Sequence, residues 1–267
     1  MNTPTHKQSS SAELASFKVT LRFHGDLRFF VRRNADGVIE RLLTERTSVK
    51  DAIEGCAVPH PEVDLILVNG RPIGFSHIID GDAVVDAYPV HFDQATFFPK
   101  DRLQCTGIER FVADGHLGKL IRNLRLLGFD VFYDRAAEDR QLVELAAHES
   151  ARALLTRDRR LLMHAAIQHG YFLRSQDALE QTIEVVRRFD LAGALKPFTR
   201  CLRCNAPLRA VAKADVLDSL EPLTKLYYER FRRCAGCGQI YWGGSHFDKL
   251  RARVEEIRSS CSPARIQ

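Results

Sequence analysis

ERFVADGHLGKLIRNLRLLGFDVFYD, residues 109–134, decides the fold of this chain. ERFVAD is a short apolar run that stops at Asp114 and reads as a strand. LGKLIRNLRLLG follows with apolar residues at helical spacing, and Gly128 stands where a helix takes its C′ residue. FDVFYD returns to strand character. The rhythm continues with DRQLVELAAHESA as a helix and RALLTRD as a third strand ending in Asp158. RRLLMHAAIQHG reads as a helix closed by Gly170, YFLRS as a fourth strand and DALEQTIEVVRRFD as a last helix. This β-α-β-α alternation implies an α/β fold with a parallel sheet covered by helices on both faces. Ligands of such folds sit at the carboxyl ends of the strands.

The acids fall at that edge. Asp114 ends the first strand and Asp158 the third, while Asp139 and Asp177 open the helices after the second and fourth. Carboxylates gathered at one edge repel one another unless divalent cations fill the space between them. Hard oxygen ligands select Mg²⁺ or Mn²⁺ over Zn²⁺, and such ions stabilise charge on a phosphoryl group. A structural alternative stands beside this reading. Asp139, Asp158 and Asp177 each occupy a position typical of a helix N-cap. Asp114, at the end of an apolar strand, has no evident structural duty. Asp134 and Glu138 lie near enough to replace Asp139. Arg157, Arg159 and Arg160 flank Asp158 and are placed for phosphate contact. Lys119, Arg122 and Arg125 fall on one side of the first helix, either as a solvated face or as contacts to a nucleic-acid backbone.

Two CxxC pairs, Cys201-Leu-Arg-Cys204 and Cys234-Ala-Gly-Cys237, follow this region. Four soft ligands in two knuckles suit a closed, tetrahedral, structural Zn²⁺ site. Redox motifs are the rival, but neither pair follows an evident strand and opens a helix. Cys56, Cys105 and Cys261 are scattered and form no set. Between the knuckles, residues 214–231 read as a helix. After them come QIYW as a short strand and SHFDKLRARVEEIRSS as a terminal helix. The net charge is +5, yet residues 196–267 alone hold 14 Lys and Arg against 7 Asp and Glu. A basic region of that kind points to a polyanion, most naturally a nucleic acid. Tyr241 and Trp242 are candidates either for stacking on bases or for a small core.

Residues 17–90 have another character. FKVTLRF alternates, SVKDAIEGCAV reads as a helix capped by Ser48, and DLILVNG and DGDAVVDAYPV read as strands closed or opened by Asn-Gly and Asp-Gly turns. The order ββαββ is a small α+β domain. Hydrophobic residues make up 45% of the chain, enough for a core and against global disorder. No run reaches the roughly 18 apolar residues of a membrane span. MNTPTHKQSSSAELAS is polar, lacks a signal core and reads as a disordered leader. Thiols used for metal place the protein in a reducing cytoplasm.

Two resemblances join these readings. VDLILVNGRPIGFSHIIDGDAVVDAYPV resembles the final strands of ubiquitin-like β-grasp domains of the sulfur-carrier type. Those carriers end in a Gly-Gly tail, whereas here the chain continues, so the domain reads as a binding or spacing module with a possible protein partner. FVADGHLGKLIRNLRLLGFDVFYD, EDRQLVELA and ARALLTRDRRLL, with the paired CxxC motifs after them, resemble the Mut-seven C-terminal RNase domain, a PIN-like nuclease followed by a zinc ribbon. That resemblance implies a Mg²⁺- or Mn²⁺-dependent endoribonuclease acting on single-stranded RNA. It implies Asp114, Asp139 and Asp158 as metal ligands, Asp177 as a fourth catalytic acid, and Cys201, Cys204, Cys234 and Cys237 as zinc ligands. The expected layout is a leader at 1–16, a β-grasp domain at 17–92, a linker at 93–107, a nuclease core at 108–195, and a zinc ribbon with its C-terminal helix at 196–267. The alternative is a non-catalytic RNA-binding adaptor using the ribbon and the basic C-terminal region.

Overall fold

A computed structural model describes residues 16–32, 36–148 and 152–261. The expected leader, except for its last residue, lies outside them. Two compact units emerge. One holds the described residues up to Val58 together with Leu65–Asp101, and the other holds Pro59–Asp64 together with the described residues from Arg102 onward. Among the described residues no helix is long and apolar enough to cross a membrane.

The first unit is mixed. Its elements are β1 (Phe17–Phe23), β2 (Val38–Leu43), β3 (Thr47–Ser48), α1 (Val49–Glu54), β4 (Val63–Val68), β5 (Arg71–Pro72), β6 (Ile78–Ile79) and β7 (Ala83–Pro89). The main sheet runs β2-β1-β7-β4-β5, with β1 antiparallel to β2 and parallel to β7. Val19, Leu21 and Phe23 are all buried, which is the period-two pattern read from the sequence. Ser48 caps α1, its hydroxyl accepting from the Asp51 N–H at 3.0 Å. This is the ubiquitin-like β-grasp arrangement expected.

The second unit carries β8 (Arg110–Ala113), α2 (Gly118–Leu126), β9 (Asp130–Phe132), α3 (Asp139–His148), β10 (Arg152–Thr156), α4 (Arg159–Leu162), β11 (Gly170–Phe172) and α5 (Ala178–Arg188). All four strands are parallel, in the order β11-β10-β8-β9. Both faces are covered. Phe111, Ala113 and Leu155 share one core with Leu120 and Leu124 of α2, Val185 of α5 and Phe189 just after it. Val112 and Leu154 alternate to the other face and are fully buried, and α3 packs on β8 and β10. Gly128, with φ of 98°, ends α2 as expected. A Cβ there would meet the Lys196 carbonyl oxygen at 2.3 Å. Gly170 differs from expectation. It closes no helix but opens β11, paired with Leu154, where a Cβ would meet Leu162 at 2.5 Å and the Leu154 carbonyl at 3.0 Å. α4 is accordingly only one turn long.

The ribbon follows with β12 (Leu208–Val211), α6 (Pro222–Tyr227), β13 (Phe231–Cys234) and β14 (Ile240–Trp242), then α7 (Ser245–Cys261). Its three strands form an antiparallel sheet, so the expected helix in this stretch is confined to α6 and a preceding 3-10 segment, Lys213–Ser219. Val254 and Ile257 of α7 enter the same core as α2 and α5.

The segment Pro59–Asp64, which the sequence reading assigns to the first domain, packs within this second unit. The Glu62 carboxylate, 2% exposed, accepts from the Phe172 N–H at 2.6 Å and from Arg174 at 2.8 Å. His60 donates to the Ile167 carbonyl at 2.6 Å, and Arg188 donates to the Pro61 carbonyl at 3.1 Å. Asp64 pairs with Arg102.

Candidate active site

The strand order places β8 and β10 side by side, and the chain leaves them toward opposite edges of the sheet. A crevice opens at the carboxyl ends of two strands related in this way. Asp114 follows β8, and Asp158 lies two residues beyond the end of β10. Thr156, the last residue of β10, joins them. Its hydroxyl donates to Asp114 Oδ2 at 3.0 Å and accepts from the Asp158 N–H at 2.9 Å. Thr156 is fully buried, so that hydroxyl is satisfied by the site alone. Asp158 Oδ1 accepts from the Arg160 and Leu161 N–H groups at 2.7 and 3.3 Å, capping α4. Asp114 and Asp158 each therefore have one oxygen engaged. The other oxygen of each takes no hydrogen bond from the described residues.

These acids line one open cavity of about 950 Å³, together with Asp139, Lys119, Arg157 and Arg159. The N-terminus of α2 borders the cavity, and its Leu117 N-cap supplies no side-chain hydrogen bond. Free N–H groups and the helix dipole at such an end favour an anion. Tyr133 keeps the turn before α2 tight. Its hydroxyl donates to the Gly115 carbonyl at 2.8 Å, and it would meet a Cβ on Gly118 at 3.1 Å.

Other sequence-derived residues go elsewhere. Asp177 is absent from the cavity lining. Its Oδ1 accepts from the Leu179 and Glu180 N–H groups at 2.8 and 3.1 Å, so it caps α5. Those two bonds hold its carboxyl below the usual range. Asp134 is spent on its own turn, accepting from the Ala136 N–H at 2.9 Å. Arg125 is no surface base. It is buried and donates to the carbonyls of Val131 at 2.9 Å and Arg203 at 3.0 Å, and burial lowers its pKa.

The cysteines do assemble. The Sγ atoms of Cys201, Cys204, Cys234 and Cys237 all lie within 4.8 Å of one another. Tetrahedral Zn²⁺ with Zn–S bonds of about 2.3 Å spaces its sulfurs about 3.8 Å apart. The Cys201–Cys237 and Cys204–Cys234 separations are 3.7 and 3.3 Å, so the set can hold one such ion. Asn205 and Gly238, each just after a knuckle, both have φ of 73°. Backbone N–H groups of Gly236 and Cys237 turn onto Cys234 Sγ at 3.3 and 3.4 Å. Burial raises the Cys201 thiol, but the Tyr241 hydroxyl at 3.1 Å and the N–H groups of Cys204 and Arg203 bring it down to about 6. Among the described residues no other group of three His, Cys, Asp or Glu closes to this distance. Asp114, Asp139 and Asp158 share a cavity without forming so tight a set.

Residues 109–254 match the Mut7-C RNAse domain, more than half of the chain. The chain belongs to the Mut7-C RNAse domain family. Residues 16–95 match the Mut7-C ubiquitin domain. No curated protein matches the chain. The RNAse domain thus spans the parallel sheet, the acid cavity and the cysteine cluster, and its family points to nuclease function. Thr156 and Tyr133 are the residues of this domain that the sequence reading missed. No signal short of its burial marks Thr156, since threonine is an ordinary strand residue.

Proposed function

We propose that this protein is a metal-dependent endoribonuclease that hydrolyses phosphodiester bonds of single-stranded RNA. The observation that carries this reading is the Thr156 bridge, which fixes two carboxylates at the ends of adjacent central strands within one open cavity. Asp114, Asp158 and Asp139 would hold Mg²⁺ or Mn²⁺. Mg²⁺ keeps several waters and meets proteins through one or two carboxylates plus substrate phosphate, which suits acids that share a cavity without closing tightly. When bound, such an ion supplies Lewis acidity toward the phosphodiester. The chain's own groups do the rest. Thr156 orients Asp114, Arg157, Arg159 and Lys119 take up phosphate charge, and the N-terminus of α2 offers N–H groups to the same anion. Asp177 serves the fold as a cap. The four cysteines hold a structural Zn²⁺, which calls for a reducing compartment such as the cytoplasm. The nuclease core at 108–195 and the ribbon at 196–267 act together on RNA, and the β-grasp domain at 17–92 serves as a docking module for a protein partner.

The test is cleavage of an end-labelled single-stranded RNA with Mn²⁺ or Mg²⁺, wild type beside Asp114→Asn and Asp158→Asn. Asparagine at 158 still caps α4, and asparagine at 114 can still accept from Thr156, so both variants should keep the wild-type melting temperature within a few degrees. Cleavage should require the added metal and fall by about 100-fold or more in each variant. Wild-type rates in Asp114→Asn would remove the assignment. RNA bound but never cut by wild type would leave the adaptor reading.

A further inference from the structure

A second concavity, about 1610 Å³, lies over the ribbon. Its lining combines five arginines with a single acid, Glu229, which Lys213 pairs at 2.6 Å. Arg122, Arg203 and Arg230 are exposed, and their side chains make no hydrogen bond or ion pair with the described residues. Beside them stand Tyr227, 70% exposed, and Trp242, 39% exposed. Tyr241, adjacent in sequence, is not available in the same way. Its hydroxyl is held between Cys201 Sγ and the Leu202 N–H, each at 3.1 Å.

One helix borders both the groove and the acid cavity. α2 contributes Lys119 to the cavity and Arg122, one turn later, to the groove. A strand crossing α2 would touch both. Three unengaged arginines against one paired acid favour an anionic occupant, and the apolar remainder of the lining suits the faces of bases. Exposed rings add a second demand, for planar groups free to stack, which a duplex does not present.

We propose that this groove binds the single-stranded RNA flanking the scissile phosphate, with bases stacked on Tyr227 and Trp242 and phosphates met by Arg122, Arg203 and Arg230. The inference rests on the nuclease reading for which strand enters, but the binding itself needs no cleavage.

The chain contains one tryptophan, and it lies in this groove, so its emission reports occupancy directly. The full chain, without added Mg²⁺ or Mn²⁺, is titrated with an oligouridylate of about 12 nucleotides, long enough to exceed one stacking platform. Anisotropy of the same labelled RNA is followed in parallel. Tryptophan quenching should saturate at the same midpoint as anisotropy. Tyr227→Ala should weaken binding roughly tenfold, and Trp242→Phe, which keeps a ring, should stay within about twofold. Arg203→Ala should weaken binding and lower the salt slope by about 0.7 for its lost phosphate contact. Zinc content and circular dichroism should match wild type in all three. Binding by anisotropy with unchanged tryptophan emission would overturn the proposal. So would wild-type affinity in both Tyr227→Ala and Arg203→Ala, or quenching by an amphipathic peptide where RNA gives none. The two readings fail separately. Quenching without any cleavage removes the nuclease and keeps the groove. Asp114-dependent cleavage with unimpaired binding by both Tyr227→Ala and Arg203→Ala removes the groove and keeps the nuclease.

Discussion

Replacing Thr156 by valine keeps the shape of the side chain but takes the donor from Asp114 and the acceptor from the Asp158 N–H. Thr156→Val should lose about 2 kcal/mol of stability in urea denaturation, since buried polar groups are left unmatched. It should also slow cleavage about tenfold with little change in RNA affinity, because a ligand loses its orientation rather than its charge. An equal loss of affinity would mean that Thr156 shapes RNA binding and not the acids. At this scale the sequence was uneven. An acid closing an apolar strand is anomalous, which marks Asp114, whereas Asp158 also fits an ordinary helix N-cap. Threonine is an ordinary strand residue, so Thr156 gained meaning only with its full burial. Asp177 caps α5 as Asp158 caps α4, and what separates the two is that only Asp158 lines the cavity. Arg125 was misplaced by its charge. It stands four residues after buried Ile121 and next to buried Leu124, so helical spacing already put it on the inner face.

Between elements, the ribbon and the parallel sheet meet at β9. Asn205 accepts from the Val131 N–H at 3.1 Å and donates to Asp130 at 2.8 Å. Arg110, Arg152 and Arg200 each stand 3.6 Å from that same carboxylate. Burial raises the Asp130 pKa, but the Asn205 bond and then Arg152, Arg200 and Arg110 outweigh it and leave the group below its ordinary value. A depressed folded-state pKa means stabilisation that is complete above the unfolded value of about 3.9 and is lost as pH falls through the folded one. Asp130→Asn should therefore cost about 2 kcal/mol at neutral pH, with the gap to wild type closing in acid below about pH 4. Urea denaturation at both pH values checks the sign, and a gap that persists in acid would point to packing instead. The sheet strands were legible because they are short apolar runs between helical periods. β12 and β13 were not. Leu208–Val211 and Phe231–Cys234 are short, carry arginines on exposed positions and become a sheet only where the knuckles bring them together.

At the scale of the whole chain, the RNAse unit is wider than the span its family matches. Residues 59–64 lie outside 109–254, yet Glu62 is buried against Arg174 and the Phe172 N–H. Burial lowers the pKa of nearby Arg188, and Glu62 and Asp64 counter it. Glu62→Gln removes a carboxylate charge beside buried guanidinium groups and should cost about 3 kcal/mol in the full chain. A change under about 0.5 kcal/mol would show the pair to be incidental. Nothing local announced this. Pro-His-Pro-Glu reads as the end of one helix, and no periodicity reveals a partner 112 residues away. The order of synthesis gives that separation a second meaning. Glu62 leaves the ribosome 112 residues before Arg174, and Pro61 leaves it 127 residues before Arg188. A nascent chain must keep this segment waiting, its acid solvated, while the β-grasp residues around it are already complete. Contacts of such high sequence separation form only after residue 188 has been made, so the closing of this segment onto the nuclease unit belongs to the last stage of its folding.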